Sequence, residues 1–119
     1  MKKMVQAEEA AQMMIGILGL YFLPVEYSWW MWIILFLSPD ISIIGYLINN
    51  KTGAIIYNLF HHKSIAISCF VIGLSMNNIP LQMAGLLFFS HSSFDRMMGY
   101  GLKHFDSFKH THLGQIGNP

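Results

Sequence analysis

Apolar residues fall into four long runs that are separated by short polar turns. The runs cover about residues 7–22, 28–48, 53–75 and 81–98. At about 1.5 Å per helical residue, each run approaches or exceeds the roughly 30 Å hydrocarbon core of a bilayer. The pattern predicts an all-α protein, a four-transmembrane-helix antiparallel bundle over residues 1–98. Residues 99–119 are too polar to span a bilayer and are predicted to form a short cytoplasmic tail.

The composition points to the same class of protein. Hydrophobic residues make up 54% of the chain and charged residues 11%, whereas charged residues are about 25% of a typical soluble domain. The formal net charge of +1 offers no electrostatic basis for binding nucleic acid. The lone Cys69 excludes an intramolecular disulfide.

The placement of basic residues predicts the orientation of the bundle. All but Lys63 lie at the N-terminus, in the second turn, or near and within the tail: Lys2, Lys3, Lys51, Arg96, Lys103 and Lys109. Because basic loops stay in the cytoplasm, both termini should be cytoplasmic in a multi-pass protein of the cell inner (plasma) membrane. A bundle this small has little interior, so we expect a homodimer surrounded by membrane lipids.

Polar residues in three of the runs lie at matching depths. Asp40, His61 and His91 are each seven or eight residues from the cytoplasmic end of their run, which is roughly 10–12 Å along a helix. Asp95 follows His91 by four residues and therefore shares its helix face. Asn58 lies about one turn nearer the cytoplasm. Ionisable groups at bilayer depth are costly and usually functional, so the sequence predicts a site here.

Two imidazoles and two carboxylates form a ligand set suited to Zn, Fe or Mn. The predicted metal ligands are therefore Asp40, His61, His91 and Asp95. A metal-free alternative uses the carboxylates to orient the histidines as general bases or proton relays. A third alternative is a set of interhelical hydrogen bonds that stabilises the bundle by about 1 kcal/mol or less each.

Several short blocks carry a resemblance to a known family. They are Pro39-Asp40, Tyr57-Asn58-Leu59-Phe60-His61, His91 with Phe94-Asp95-Arg96, Gly99-Tyr100-Gly101-Leu102-Lys103, and Thr111-His112-Leu113-Gly114. With these blocks the chain resembles small bacterial four-helix integral membrane proteins catalogued as a domain of unknown function. The resemblance implies that the motif positions are Asp40, Asn58, His61, His91, Asp95, Tyr100, Lys103 and His112. It brings no activity with it.

The Pro39-Asp40 pair and the block that contains His112 are also similar to membrane-bound metal-dependent hydrolases. That analogy implies a hydrolase acting on a lipid or lipid-like substrate. Asn58 would orient a ligand or a bound water, while Lys103 or His112 would approach from the tail. Proton-coupled or small-solute transport and a structural or partner-binding role stay open, so the sequence does not decide whether the protein is an enzyme.

Overall fold

The computed structural model describes residues 1–103 and 109–115, without the side chains of residues 110, 114 and 115. This part of the chain is mainly helical, which confirms the all-α prediction. The elements are the helices α1 (Lys2–Phe22), α2 (Trp29–Leu37), a 3₁₀ helix (Ser38–Leu47), α3 (Asn50–His61), α4 (Lys63–Ser75) and α5 (Ile79–Met97), and the short strands β1 (His110–Thr111) and β2 (Gly114–Gln115).

Helix α5 is the centre of the bundle, with α1 and α4 packed against it and α3 against the 3₁₀ helix. Small residues allow the close approach. A Cβ atom on Gly85 would lie 2.6 Å from the Ala66 carbonyl oxygen, and one on Gly16 would lie 2.0 Å from Ser90 Oγ. Glycine at such contacts lets helix backbones meet directly, as is common between membrane helices.

The second apolar run, predicted as one transmembrane helix over residues 28–48, is an α-helix followed by a ten-residue 3₁₀ helix. The change occurs at Pro39, which has no N–H to donate to the Leu35 carbonyl. The Ser38 hydroxyl donates to that carbonyl instead, at 2.6 Å. A 3₁₀ stretch this long is uncommon and often marks a functional part of a helix.

The third run is also divided, since α3 and α4 meet at a bend of 45°. His62 has an extended backbone between them, and its Nδ1 accepts a hydrogen bond from the Ser64 N–H at 3.2 Å. The prediction of a continuous helix over residues 53–75 is therefore wrong. The bend ends α3 at His61, which becomes the last residue of that helix.

Fewer helices qualify as membrane spans than the sequence predicts. Trp29–Leu47 is long and apolar enough to cross a bilayer, and α3 with α4 qualifies if the bent pair counts as one span. Helices α1 and α5 do not qualify. In α5 the polar residues, which include Gln82, His91 and Asp95, are buried against the other helices. These polar residues make α5 too polar to qualify as a membrane span, but they lie in the interior of the bundle.

The described part of the tail folds back onto the helices. Strands β1 and β2 pair antiparallel, and Lys103 forms an isolated bridge with Thr111. Lys103 and Thr111 are both buried. The tail therefore reaches the helical bundle through Lys103.

Candidate metal centre

The four residues that the sequence nominates as metal ligands converge in the structure. Asp40, His61, His91 and Asp95 each offer one ligand atom, and these atoms lie within 4.8 Å of one another. His91 Nε2 is 3.0 Å from Asp40 Oδ1 and 3.4 Å from Asp95 Oδ2. His61 Nε2 is 3.6 Å and 3.3 Å from the same two oxygens. Tetrahedral ligands at zinc bond lengths are about 3.3 Å apart, so the cluster has the size of a metal centre.

The orientation of His91 follows from the proline in the neighbouring helix. In a 3₁₀ helix the carbonyl of residue i accepts from the N–H of residue i+3. For Phe36 that residue is Pro39, which has no N–H. The freed Phe36 carbonyl accepts a hydrogen bond from His91 Nδ1 at 2.8 Å. Pro39 therefore prepares the acceptor that turns His91 Nε2 towards Asp40.

His61 is oriented in the same way by its own helix. Its Nδ1 donates to the Tyr57 carbonyl at 2.8 Å. Because a carbonyl only accepts, the proton must be on Nδ1, and a neutral imidazole then presents the Nε2 lone pair. His61 Nε2 is buried and makes no hydrogen bond within the described residues.

Both imidazoles, when neutral, aim an electron pair at carboxylate oxygens. Such an arrangement is repulsive unless a cation lies between the groups. A metal ion satisfies it, and metal-bound histidines usually donate their other N–H to a carbonyl or carboxylate. A second proton on each imidazole also satisfies it, since His61 and His91 would then pair with the carboxylates as cations. The geometry therefore fits a divalent metal or a proton-binding pair.

Tyr57 supports the cluster and is not singled out by the sequence analysis. Its hydroxyl donates to Asp95 Oδ2 at 3.0 Å, and its ring stacks on the His61 ring with centroids 3.8 Å apart. Tyr57 precedes His61 by four residues and so lies on the same helix face. That spacing is the signal in the sequence that could have identified it.

The cluster is closed except on the side of Asp40. His61, His91 and Asp95 are buried, whereas the Asp40 side chain is 44% exposed. Asp40 lines a hollow of about 530 Å³ whose other walls include Ile41 and Ile44 of the 3₁₀ helix. An incoming molecule would therefore meet Asp40 first, next to apolar walls.

Asn58 holds the tail rather than the cluster. Its Nδ2 donates to the Lys103 carbonyl at 2.8 Å, and its Oδ1 accepts from the Lys103 N–H at 2.6 Å. This contact uses both ends of the amide, and the role of orienting a ligand or water stays a prediction. The contact brings the Lys103 ammonium to 4.8 Å from the Tyr57 ring centroid. Burial lowers the pKa of Lys103 to about 8, against the opposing attraction of Asp95 and Asp40.

His112 lies outside the cluster, although the sequence analysis places it near the site. Its Nδ1 accepts a hydrogen bond from the Leu102 N–H at 2.7 Å, and its own N–H donates to the Leu102 carbonyl at 2.9 Å. A Cβ atom on Gly101 would lie 2.5 Å from His112 Nδ1, so a larger residue there would displace the His112 ring. His112 therefore shapes the turn that presents Lys103.

A separate charged group joins α1 to the start of α4. The Lys63 ammonium donates to Glu9 Oε2 and Gln12 Oε1. Both charged side chains are largely buried. The sequence shows no partner for Lys63, because Glu9 is 54 residues away along the chain. Arg96 is also close enough to attract Glu9 electrostatically. Neither Lys63 nor Glu9 belongs to the His/Asp cluster.

The comparisons with known proteins identify the family. The family model described as a domain of unknown function (DUF4260) matches residues 2–116. Comparisons with curated proteins and with solved structures gave no match. The family match covers nearly the whole chain, including the four residues of the cluster, and it confirms the resemblance drawn from the sequence. The chain belongs to the DUF4260 family, whose function is unknown.

Proposed function

We propose that this protein is an integral membrane protein with a metal centre formed by Asp40, His61, His91 and Asp95, and that it is a metal-dependent hydrolase acting on a lipid or lipid-like substrate. The observation that carries the proposal is the convergence of two imidazole Nε2 lone pairs and two carboxylates.

Charge balance supports a divalent metal at this position. Two neutral histidines and two ionised aspartates carry a formal charge of about −2 in a mostly buried space. The Lys103 ammonium, which Asp95 and Asp40 attract, offsets part of this charge, and the remainder is unfavourable where it is buried. A divalent cation cancels this charge and uses all four ligand atoms, and the His–Asp distances of 3.0–3.6 Å suit zinc.

The surrounding residues have distinct tasks in the proposed reaction. A divalent metal bound by the four side chains would need to take a water as a fifth ligand, and it would supply hydroxide by lowering the pKa of that water towards neutrality. The Phe36 and Tyr57 carbonyls hold the two imidazoles, and the Tyr57 hydroxyl holds Asp95. Asp40 lies where substrate enters. The Lys103 ammonium would approach from the tail and attract an anionic group of the substrate.

The exterior of the protein supports a lipid environment. Only 17% of the Trp29–Leu47 span is buried inside the structure. A core helix of a soluble protein would be mostly buried, and large exposed apolar surfaces mark contact with a membrane or partner. We propose the four-span topology with both termini cytoplasmic, in which α1 and α5 cross with their polar faces inward, and a homodimer in the inner membrane.

Elemental analysis of the detergent-purified protein tests the metal centre. We expect close to one equivalent of zinc, iron or manganese in the wild type, and background levels in His91→Ala and Asp40→Ala. His62→Ala is the matched control, because His62 adjoins the cluster in sequence but caps α4. Its metal content should equal that of the wild type. A well-folded wild-type protein that contains and binds no divalent metal would contradict the proposal.

Proton-coupled transport is the second candidate, since protons on His61 and His91 satisfy the same geometry as a metal. It predicts proton or solute flux across proteoliposomes that is lost in His91→Ala. A structural subunit, by contrast, predicts that His61→Ala and His91→Ala weaken the fold and change no flux or hydrolysis. Metal content separates the first candidate from both alternatives.

A further inference from the structure

A second cavity lies between α1, α2 and α5 and is larger than the hollow beside Asp40. Its volume is about 700 Å³, which is the size of a site for one small organic ligand. Phe36 and Phe94 line it on the side of His91, with ring centroids 5.5 Å and 6.5 Å from the imidazole centroid. These rings stand between the cavity and the His/Asp cluster, which opens at Asp40. The cavity is therefore a site separate from the cluster.

Two pairs of aromatic rings line this cavity. The Tyr27 and Trp32 rings have centroids 5.4 Å apart and planes inclined by 76°. The Phe36 and Phe94 rings have centroids 5.6 Å apart at the same angle. Two rings inclined so steeply form a corner in which a guest can lie against the faces of both. Because the face of an aromatic ring carries the negative part of its quadrupole, such corners attract positive charge.

A single acidic residue adds charge to these walls. Glu26 lies in the connection between α1 and α2, next to Tyr27, and among the described residues that line the cavity it is the only charged one. It is exposed, so its carboxylate stays hydrated while no guest is bound. The carboxylate and the aromatic faces favour a guest of the same sign. The walls are therefore complementary to a cation.

The remaining walls decide which kind of cation fits. Leu20 and Leu87 are aliphatic, and within the described lining Glu26 supplies the only carboxylate. A metal ion needs several oxygen or nitrogen ligands, so one carboxylate does not hold it. A peptide with a basic side chain would leave its backbone groups without partners against these walls. The cation must therefore carry an apolar body, as an ammonium group with alkyl or aryl substituents does.

We propose that this cavity binds an organic cation with an apolar body, of the quaternary ammonium class. Its charged head would lie between Glu26 and the Tyr27–Trp32 pair, because aromatic faces bind quaternary ammonium groups. Its body would extend towards Phe36 and Phe94. The proposal does not depend on the metal centre, since none of the four residues of the cluster lines the cavity.

Two ligands that differ only in charge test the proposal. They are benzyltrimethylammonium and neopentylbenzene, in which a carbon atom replaces the nitrogen. Both are titrated calorimetrically into the full chain in a non-ionic detergent, with protein-free micelles as the reference. After correction for partition into the micelles, the cation should bind about tenfold more tightly, since the aromatic faces and the carboxylate attract the cation alone. Added salt should lower the affinity for the cation and leave that for the neutral ligand unchanged.

Glu26→Gln keeps the shape of the side chain and removes its charge. It should lower the affinity for benzyltrimethylammonium about threefold at low salt, as for an exposed ion pair, and leave binding of neopentylbenzene unchanged. Glu8→Gln is the matched control, because Glu8 is also exposed but lies on α1 and does not line the cavity. This control should bind both ligands like the wild type.

Trp32→Leu removes an aromatic face and keeps an apolar side chain. It should reduce the preference for the cation over the neutral ligand about fivefold. A general loosening of the cavity would weaken both ligands and leave this ratio unchanged. Trp30→Leu is the matched control and should keep the full preference, since Trp30 lies on the same helix but does not line the cavity.

Three results would overturn the proposal. The first is no saturable binding of benzyltrimethylammonium, or equal affinity for the two ligands, in the wild type. The second is an equal loss of cation affinity in Glu26→Gln and Glu8→Gln. The third is an unchanged preference for the cation in Trp32→Leu, because the aromatic faces would then have no part in binding.

Discussion

Two groups of buried charges in the described part of the chain differ in how their charges balance. In the first, the Lys63 ammonium is matched by Glu9, with Gln12 as an additional acceptor. In the second, two histidines and two aspartates bring their electron pairs to one point. The first group contains both signs of charge, with Arg96 also close enough to attract Glu9. The second group needs positive charge. Its own four side chains supply that charge only if the two histidines take up protons.

The difference separates a structural pair from a binding site. An ion pair that contains both of its charges stabilises one arrangement of helices and has no place for a ligand. A set of acceptors aimed at a common point gains free energy only when a metal or protons arrive. Carbonyl groups of Phe36 and Tyr57 maintain that arrangement by holding the opposite nitrogens of the two histidines.

The largest expected effect comes from removing the cation that is hydrogen-bonded to Glu9. Lys63→Ala leaves the largely buried Glu9 with only the electrostatic attraction of Arg96 and should lower the free energy of unfolding by about 3 kcal/mol. Denaturant unfolding in detergent, followed by circular dichroism, measures this. The double variant Glu9→Leu with Lys63→Met removes both charges and should recover most of the loss. If a folded Lys63→Ala protein lost its metal, the two groups would not be independent of each other, and the distinction drawn between them would be wrong.

Removing the metal should destabilise the protein through the second group. At a free metal concentration one hundred times the dissociation constant, the bound metal stabilises the fold by about 2.7 kcal/mol. A chelator should therefore lower the unfolding midpoint of the wild type. His91→Ala serves as the reference and should show no response to the chelator. If the chelator lowered the unfolding midpoint equally in both proteins, the stabilising metal would lie outside the His/Asp cluster.

Tyr57→Phe tests the support of the cluster without removing a ligand. The Asp95 carboxylate loses the hydrogen bond that orients it, and metal affinity should fall about 10–100-fold. Competition with a chromophoric chelator measures the change. Tyr27→Phe removes a hydroxyl in the connection between α1 and α2, outside the cluster, and should leave metal affinity unchanged. Unchanged affinity in Tyr57→Phe would show that Asp95 needs no such support.

Asn58→Ala should have the smallest effect and decides between two roles of that residue. The structure predicts loss of the two hydrogen bonds to the Lys103 backbone, worth about 1–3 kcal/mol together. Faster hydrogen exchange at the Lys103 amide would report it. Metal affinity should not change, and Asn58→Asp should keep one of the two contacts. A fall in metal affinity would restore the role that the sequence predicts, in which Asn58 orients a ligand or a bound water.

Distance along a helix and polarity made several features predictable from sequence. The all-α class follows from four apolar runs, and the cluster of Asp40, His61, His91 and Asp95 follows from their matching depths. These inferences need only the rise of a helix and the cost of burying a charge. They do not depend on which helices are neighbours, and the structure brings those four residues together.

The helix breaks were harder to predict from sequence, because they depend on local competition between hydrogen bonds. Pro39 predicts a disturbance, but the sequence does not show that a 3₁₀ helix continues for ten residues. His62 interrupts the third run within the polar stretch His61-His62-Lys63-Ser64, which the sequence analysis includes in one continuous helix. The pattern reports where apolar residues lie, whereas a break depends on whether side chains such as Ser38 and His62 can satisfy the freed backbone groups.

The sequence by itself therefore determined the helical class, the apolar exterior and the four residues of the candidate centre. Only the tertiary structure decided their partners: the Phe36 carbonyl for His91, the Tyr57 hydroxyl for Asp95, and the tail backbone for Asn58. The physical reason is that depth is a property of one helix, read directly from residue spacing. A hydrogen-bond partner depends on the rotation and neighbours of several helices, which are set by the packing of the whole bundle.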